Sequence, residues 1–217
     1  MNGYVLVNIL AGLLIITSLL VVLSRSARRA AFIYGAQAIV LVGMLITLGV
    51  TTGSKELFTW AGAAFITKVI LVPTIVLVAL NKMKVPHETT PHSISPVVSI
   101  VIIAAEVFLC FLAVTNIQLP TALEVKPALA ISLAHFFIGL TCIITQKNIV
   151  KQIFGYCLME NGSHISLALL APQAPEIVEI GIATDAIFAV VIMAVMAFKV
   201  HKNTQTLDSA QIMNLKG

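Results

Sequence analysis

The sequence predicts an all-α, polytopic membrane protein with seven transmembrane helices, its N-terminus outside and its C-terminus cytoplasmic. Three observations carry that reading. Of 217 residues, 59% are apolar and 10% charged, and mean hydropathy is +1.04; charged residues make up about 25% of a soluble domain. A window of roughly 20 residues, the length that crosses about 30 Å of hydrocarbon, finds seven apolar segments. Lysine and arginine alternate between the loops in the positive-inside sense. Each segment is expected to be a helix, because an isolated apolar segment can satisfy its backbone in lipid only that way.

The first segment, Gly3 to Leu23, lacks a basic n-region and a small-residue cleavage site, so it is expected to be a retained helix. The second runs from Ala30 to Thr52 and carries Gln37. The third, Leu57 to Leu80, holds Lys68 five residues before Pro73, and a proline frees the carbonyl one turn back and favours a kink. A polar connector, Asn81 to Ser93, contains His87 and His92, which are expected to be solvated loop residues. The fourth segment, Ile94 to Thr115, opens on Ser95-Pro96, suited to an N-cap and first helical position, and carries Glu106.

The fifth, Ala128 to Thr145, contains His135. The sixth, Ile149 to Leu170, reads IVKQIFGYCLMENGSHISLALL, with Glu160 at its midpoint, His164 one turn on, and a small-residue stripe at Gly155, Gly162 and Ser166 that permits close helix approach. The seventh, Ile177 to Phe198, carries Asp185 and follows Pro175, Glu176 and Glu179, carboxylates suited to the positive end of a helix dipole. Thr204 to Gly217 is a polar tail expected to lie on a partner or to be mobile. The chain divides into an N-terminal three-helix bundle with its loop (1–93), a connecting helix and outer loop (94–127), a C-terminal three-helix module (128–202) and a tail (203–217).

Arg25, Arg28, Arg29, Lys82, Lys84, Lys147, Lys151, Lys199, Lys202 and Lys216 fall on one side, against Lys55 and Lys126 on the other. The net charge of +4 therefore reports orientation and not a nucleic-acid partner. Cys110, Cys142 and Cys157 lie within apolar segments without metal-ligand spacing, so no metal or cofactor is expected on this chain.

Lys68, Glu106, Glu160 and Asp185 remain inside the membrane, each near the middle of its helix. A charge at that depth costs about 2.5–3.5 kcal/mol on insertion scales, so it must be paired or face an internal polar path. His135 and Gln37 add polar groups at nearly the same level. Acid, base and histidine at a shared depth suit a lateral proton path, and Glu160 with His164 at i+4 shares one helix face. Structural ion pairs holding the bundle together are the competing reading. Lys68 is too deep to snorkel, and its expected partner is Glu106 on the next helix, directly or through water, or else a carboxylate of a neighbouring subunit.

From about Ala128 to Val200, the stretches HFFIGLTCIITQKNIVKQIFGYCLMENGSHISLALL and EIGIATDAIFAVV resemble the small three-helix membrane subunit of respiratory complex I and of multisubunit cation/proton antiporters. The whole chain resembles the seven-helix membrane subunits of hydrogenase-4, a formate hydrogenlyase-type, group 4 membrane-bound [NiFe] hydrogenase. By that resemblance Asp185 falls on the carboxylate of the third module helix, and Gly155, Met159 and Asn161 align with the Gly, Met and Asn of the second. The family's second-helix carboxylate falls on Cys157, and Glu160 lies three residues later, about 4.5 Å along the axis.

The resemblance implies an inner-membrane subunit of a bacterial complex. Its expected partners are antiporter-like membrane subunits, cytoplasmic [NiFe] and iron-sulfur subunits that carry the redox centres, and membrane lipid. A cation/proton antiporter subunit and a purely structural anchor are the alternatives.

Overall fold

The computed structural model describes residues 3–84, 94–117 and 123–209. Helices dominate: α1 Gly3–Leu23, α2 Ala27–Thr52, α3 Glu56–Lys82, α4 Pro96–Thr115, α5 Lys126–Thr145, α6 Ile149–Leu170 and α7 Glu176–Thr204. His87, His92 and Lys216 lie outside the described residues, as does most of the Asn81–Ser93 connector.

Six of these helices are long and apolar enough to cross a membrane, and α6 is not among them. The reason is its polar content: Lys151, Gln152, Glu160, Asn161, His164 and Ser166 depress its hydropathy, yet Lys151, Asn161 and His164 are buried and the other three partly so. The architecture is that of a polytopic membrane protein whose most polar helix is enclosed by more apolar ones.

Local chemistry places the helix ends. Ser95 caps α4 by accepting from the Val98 amide at 3.3 Å, and Asn148 caps α6 by accepting from Val150 at 2.9 Å and Lys151 at 3.2 Å. Gly53 ends α2 in the left-handed region at φ 70°, where a side chain would be strained. Within α3, Phe65–Leu71 forms a π-helical stretch directly before Pro73, and the Val72 amide reaches back five residues to the Thr67 carbonyl. Proline supplies no N–H to the turn before it, and the wider turn accommodates the loss. The kink expected at Pro73 thus takes the form of a π segment, and Lys68 sits within it.

The core is built on α5 and α6. A Cβ on Gly139 would lie 2.2 Å from the Met159 amide nitrogen, one on Gly155 would lie 2.8 Å from that of Ile143, and one on Gly162 would lie 2.4 Å from that of Phe136. Ser132 and Ser166 close the stripe with an Oγ–Oγ hydrogen bond of 2.8 Å. The glycines expected from the sequence to allow close approach do so, with Gly139 as their counterpart on α5. Helices α1 and α2 pack against this hairpin, α7 packs on α6, α3 packs on α2 and α7, and α4 lies on α5 and α1. Val97, Val101, Phe108 and Leu109 leave α4 exposed along its outer face.

Two parts that read as loop and tail have internal partners. Lys151 is buried, and its ammonium donates to the Val22 carbonyl at 3.1 Å and to Gln146 Oε1 at 2.8 Å, placing a cation on the C-terminal carbonyls of α1 as the helix dipole favours. After α7, Leu207 accepts from the Ile149 amide at 3.1 Å and Ser209 donates to Lys147 at 2.9 Å. The start of the tail is therefore strapped to the α5–α6 turn.

Candidate functional site: a buried ammonium and a one-way hydrogen-bond chain

Lys68 is fully buried. Its Nζ lies 2.6 Å from Glu160 Oε1, 2.5 Å from Glu160 Oε2 and 2.7 Å from Asn161 Oδ1. An ammonium has three protons to donate, and each has an acceptor. The π turn of α3 brings the lysine across to α6, and the consecutive positions of Glu160 and Asn161 let one turn of α6 supply both acceptors.

The expected Lys68–Glu106 contact is not formed. Glu106 lies on α4, which packs on α5 and α1, and it accepts there from the Thr141 hydroxyl; its Oε2 is buried without a hydrogen-bond partner.

From Asn161 a chain of side chains crosses the bundle. Asn161 Nδ2 donates to Gln37 Oε1 at 3.1 Å, Gln37 Nε2 meets His135 Nε2 at 3.2 Å, His135 Nδ1 meets Ser18 Oγ at 2.8 Å, and Ser18 donates to the Leu14 carbonyl at 2.5 Å. Both ends set its sense. An ammonium can only give and a carbonyl can only accept, so Asn161 presents its oxygen to Lys68 and its amide to Gln37, and Gln37 gives an N–H to His135. His135 is then neutral, with its proton on Nδ1 facing Ser18. Every link donates in the same direction, from Lys68 on α3 to Leu14 on α1.

Gln37 and His135 therefore share the depth that their positions imply, and Asn161 is the junction. Asn161 is marked in the sequence only through its match to the Asn of the related three-helix subunit, and Ser18 is not marked at all. A serine on α1 at the depth of His135 was the available signal.

The i,i+4 pair Glu160 and His164 does not interact directly. His164 Nε2 instead lies 2.8 Å from Glu179 Oε2, a close contact whose alignment does not make a hydrogen bond, since both atoms lack one. Trp60 packs on the imidazole at a ring-centroid distance of 5.4 Å. Glu179 reads in the sequence as a helix-start carboxylate, yet it is buried. It continues the stripe Ala183, Ala186, Val190, Ala194 and Ala197 that α7 turns toward the bundle, and that spacing is the signal that could have found it. Asp185 falls off the stripe and is exposed. Tyr156, one turn before Glu160, donates to Asp185 Oδ2 at 3.3 Å.

Among the described residues no group of three His, Cys, Asp or Glu side chains converges as a metal site. Chemically, the arrangement can hold an ammonium and a carboxylate charged in a low-dielectric interior, and it fixes one neutral histidine tautomer.

Residues 127–217 match the family model of NADH-ubiquinone/plastoquinone oxidoreductase chain 4L, so the last three helices are similar to that class of membrane subunit. Over its full length the chain is 47% identical to hydrogenase-4 component E of Escherichia coli K12 and of Shigella flexneri, covering all of both relatives. It belongs to the hydrogenase-4 component E family. It is also 24% identical, over 99% of its length and 98% of the relative's, to an uncharacterised protein of Mycobacterium tuberculosis. No solved structure matches at a significant level.

Proposed function

We propose that this chain is an integral subunit of a group 4 membrane-bound [NiFe] hydrogenase complex of the bacterial inner membrane, and that it helps couple redox turnover to proton movement. It spans the membrane seven times, with its N-terminus outside, and α6 is held in the membrane by its neighbours. The redox centres lie in cytoplasmic partner subunits, and antiporter-like membrane subunits flank it. The proton-active groups are Glu160 and Lys68, with Asp185 reached past Tyr156, and His164, His135 and Glu106 as accessory groups.

The observation that carries this reading is the Lys68–Glu160 contact, an acid–base pair in which both side chains are almost wholly enclosed. Such a pair can be neutralised by shifting one proton, which makes it a store that a neighbouring charge can empty or fill.

The test is Glu160→Gln in the assembled complex. Proton movement in sealed vesicles is expected to fall, while complex yield and hydrogen chemistry with artificial electron carriers persist. Unchanged proton movement would sink the reading.

A structural anchor is the second reading, and one observation favours it. All three ammonium protons of Lys68 are already used, as in a pair that holds two helices together. Loss of assembly in Glu160→Gln supports the anchor.

A further inference from the structure

Glu179, His164 and Trp60 are not used by the Lys68–Glu160 pair. His164 and Glu179 are in contact at 2.8 Å with side-chain exposures of 0% and 1%. Trp60 Nε1, His164 Nδ1 and Glu179 Oε1 are buried with no hydrogen-bond partner among the described residues. Polar atoms held this way are costly unless water or an exchangeable proton serves them, and here they are gathered at one place on three helices.

That place lies between the buried pair and one end of the bundle. His164 follows Glu160 by one turn on the same face of α6, about 6 Å along the axis. Glu179 follows Glu176 by nearly one turn of α7; Glu176 is exposed and accepts from Thr59 Oγ1 at 3.2 Å. At the same end the Ser54 hydroxyl lies 2.5 Å from the Pro172 carbonyl, which ties the α2–α3 turn to the α6–α7 turn. Glu176, Glu179, His164 and Glu160 thus run from the surface to the Lys68 pair in steps of one helical turn or a direct contact, and each can gain and lose a proton.

The chain through Asn161 and Gln37 differs in this respect. Its carboxamides do not titrate, so protons are not handed along it from Lys68 to His135.

We propose that His164 and Glu179 form a proton-conducting arm between the Lys68–Glu160 pair and the bundle end where α6 meets α7, the end that the distribution of Lys and Arg assigns to the outside. The proposal rests on the reading of Lys68–Glu160 as a proton site. A proton leaving Glu160 through water binds one ring nitrogen of His164 as the other nitrogen releases its own. Glu179 accepts that proton and passes it to Glu176 or to water at the surface, and the imidazole then resets its tautomer. One proton enters and one leaves, and no other bond changes.

The experiment uses the assembled complex in sealed vesicles and compares Glu160→Gln, His164→Gln, Glu179→Gln and Glu179→Asp. Protons moved per turnover are expected to fall about tenfold or more in His164→Gln and Glu179→Gln, with hydrogen chemistry on artificial carriers held within about twofold. Glu179→Asp, which keeps a carboxyl, should recover much of the loss, and a packing role would not produce that rescue.

If Glu160→Gln stops proton movement while His164→Gln and Glu179→Gln leave it unchanged, the arm is wrong and the midplane reading stands. If Glu160→Gln has no effect, the midplane reading fails and the arm falls with it. Should Glu179→Gln not assemble, His164→Gln decides alone. Loss of assembly in both overturns the proposal in favour of a structural pair.

Discussion

Lys68 with Glu160 and Glu106 with Thr141 are two answers to the same problem, a charge placed at the middle of an apolar helix. On the α3–α6 side the carboxylate has an ammonium within 2.5 Å. On the α4–α5 side it has one hydroxyl and a buried oxygen without a hydrogen-bond partner, on a helix whose outer face is bare. The insertion cost of a charge is much the same at either position. What differs is how far the chain itself supplies the compensation: a full ammonium for Glu160, and a single hydroxyl for Glu106.

The sharpest way to break that comparison is Lys68→Met. It leaves Glu160 buried without its cation, and breaking a buried pair from one side typically costs about 3–5 kcal/mol; the thermal midpoint of the purified chain in detergent should drop accordingly. Adding Glu160→Gln should recover most of the loss, whereas adding Glu106→Gln should recover none, because the two sites share no partner. Recovery by Glu106→Gln would erase the distinction between the two sides.

A smaller effect is expected from Gly139→Ala. Its Cβ would press on the backbone of Met159, and overpacking of this kind costs about 1–3 kcal/mol. The α5–α6 contact also sets where Asn161 and His135 stand, so the variant loads the Lys68 side of the comparison through the helix that carries His135.

Glu106→Gln should have the least effect, under about 1 kcal/mol on the isolated chain because a carboxamide can still accept from Thr141. Its consequence should show in co-purification of the neighbouring membrane subunits. A large loss of stability in the chain alone would place Glu106 with the internal pairs.

Much of the fold was legible in the sequence. The limits of α1 and α6 match the apolar segments read from it, whereas α7 runs to Thr204 and α2 begins at Ala27, beyond their apolar stretches. Hydropathy marks what lipid requires; a helix ends where its hydrogen bonds are capped, and polar turns extend it past the hydrocarbon.

The charges to be explained were legible too, but their partners were not. Glu106 is nearer to Lys68 in sequence than Glu160 is, but which helices meet is decided by the glycine contact of α5 with α6 and by the π turn before Pro73, and neither is visible as charge. Glu179 does stand in the first turn of α7, as its position implies, but its burial was not legible, because burial follows the face that α7 turns inward and not the depth along the chain.

The row from Lys68 to Leu14 has a further property, that of a polarised wire with a single sense. Turning one amide over would set acceptor against acceptor on one flank and donor against donor on the other, so the orientation of each member is hostage to its neighbours. The tautomer of one imidazole is in this way fixed from both ends of the row, by an amine and a carbonyl that it does not touch. His135 is thus a built-in reporter of whether the row is intact, and the ring-nitrogen shifts of that one histidine would read it.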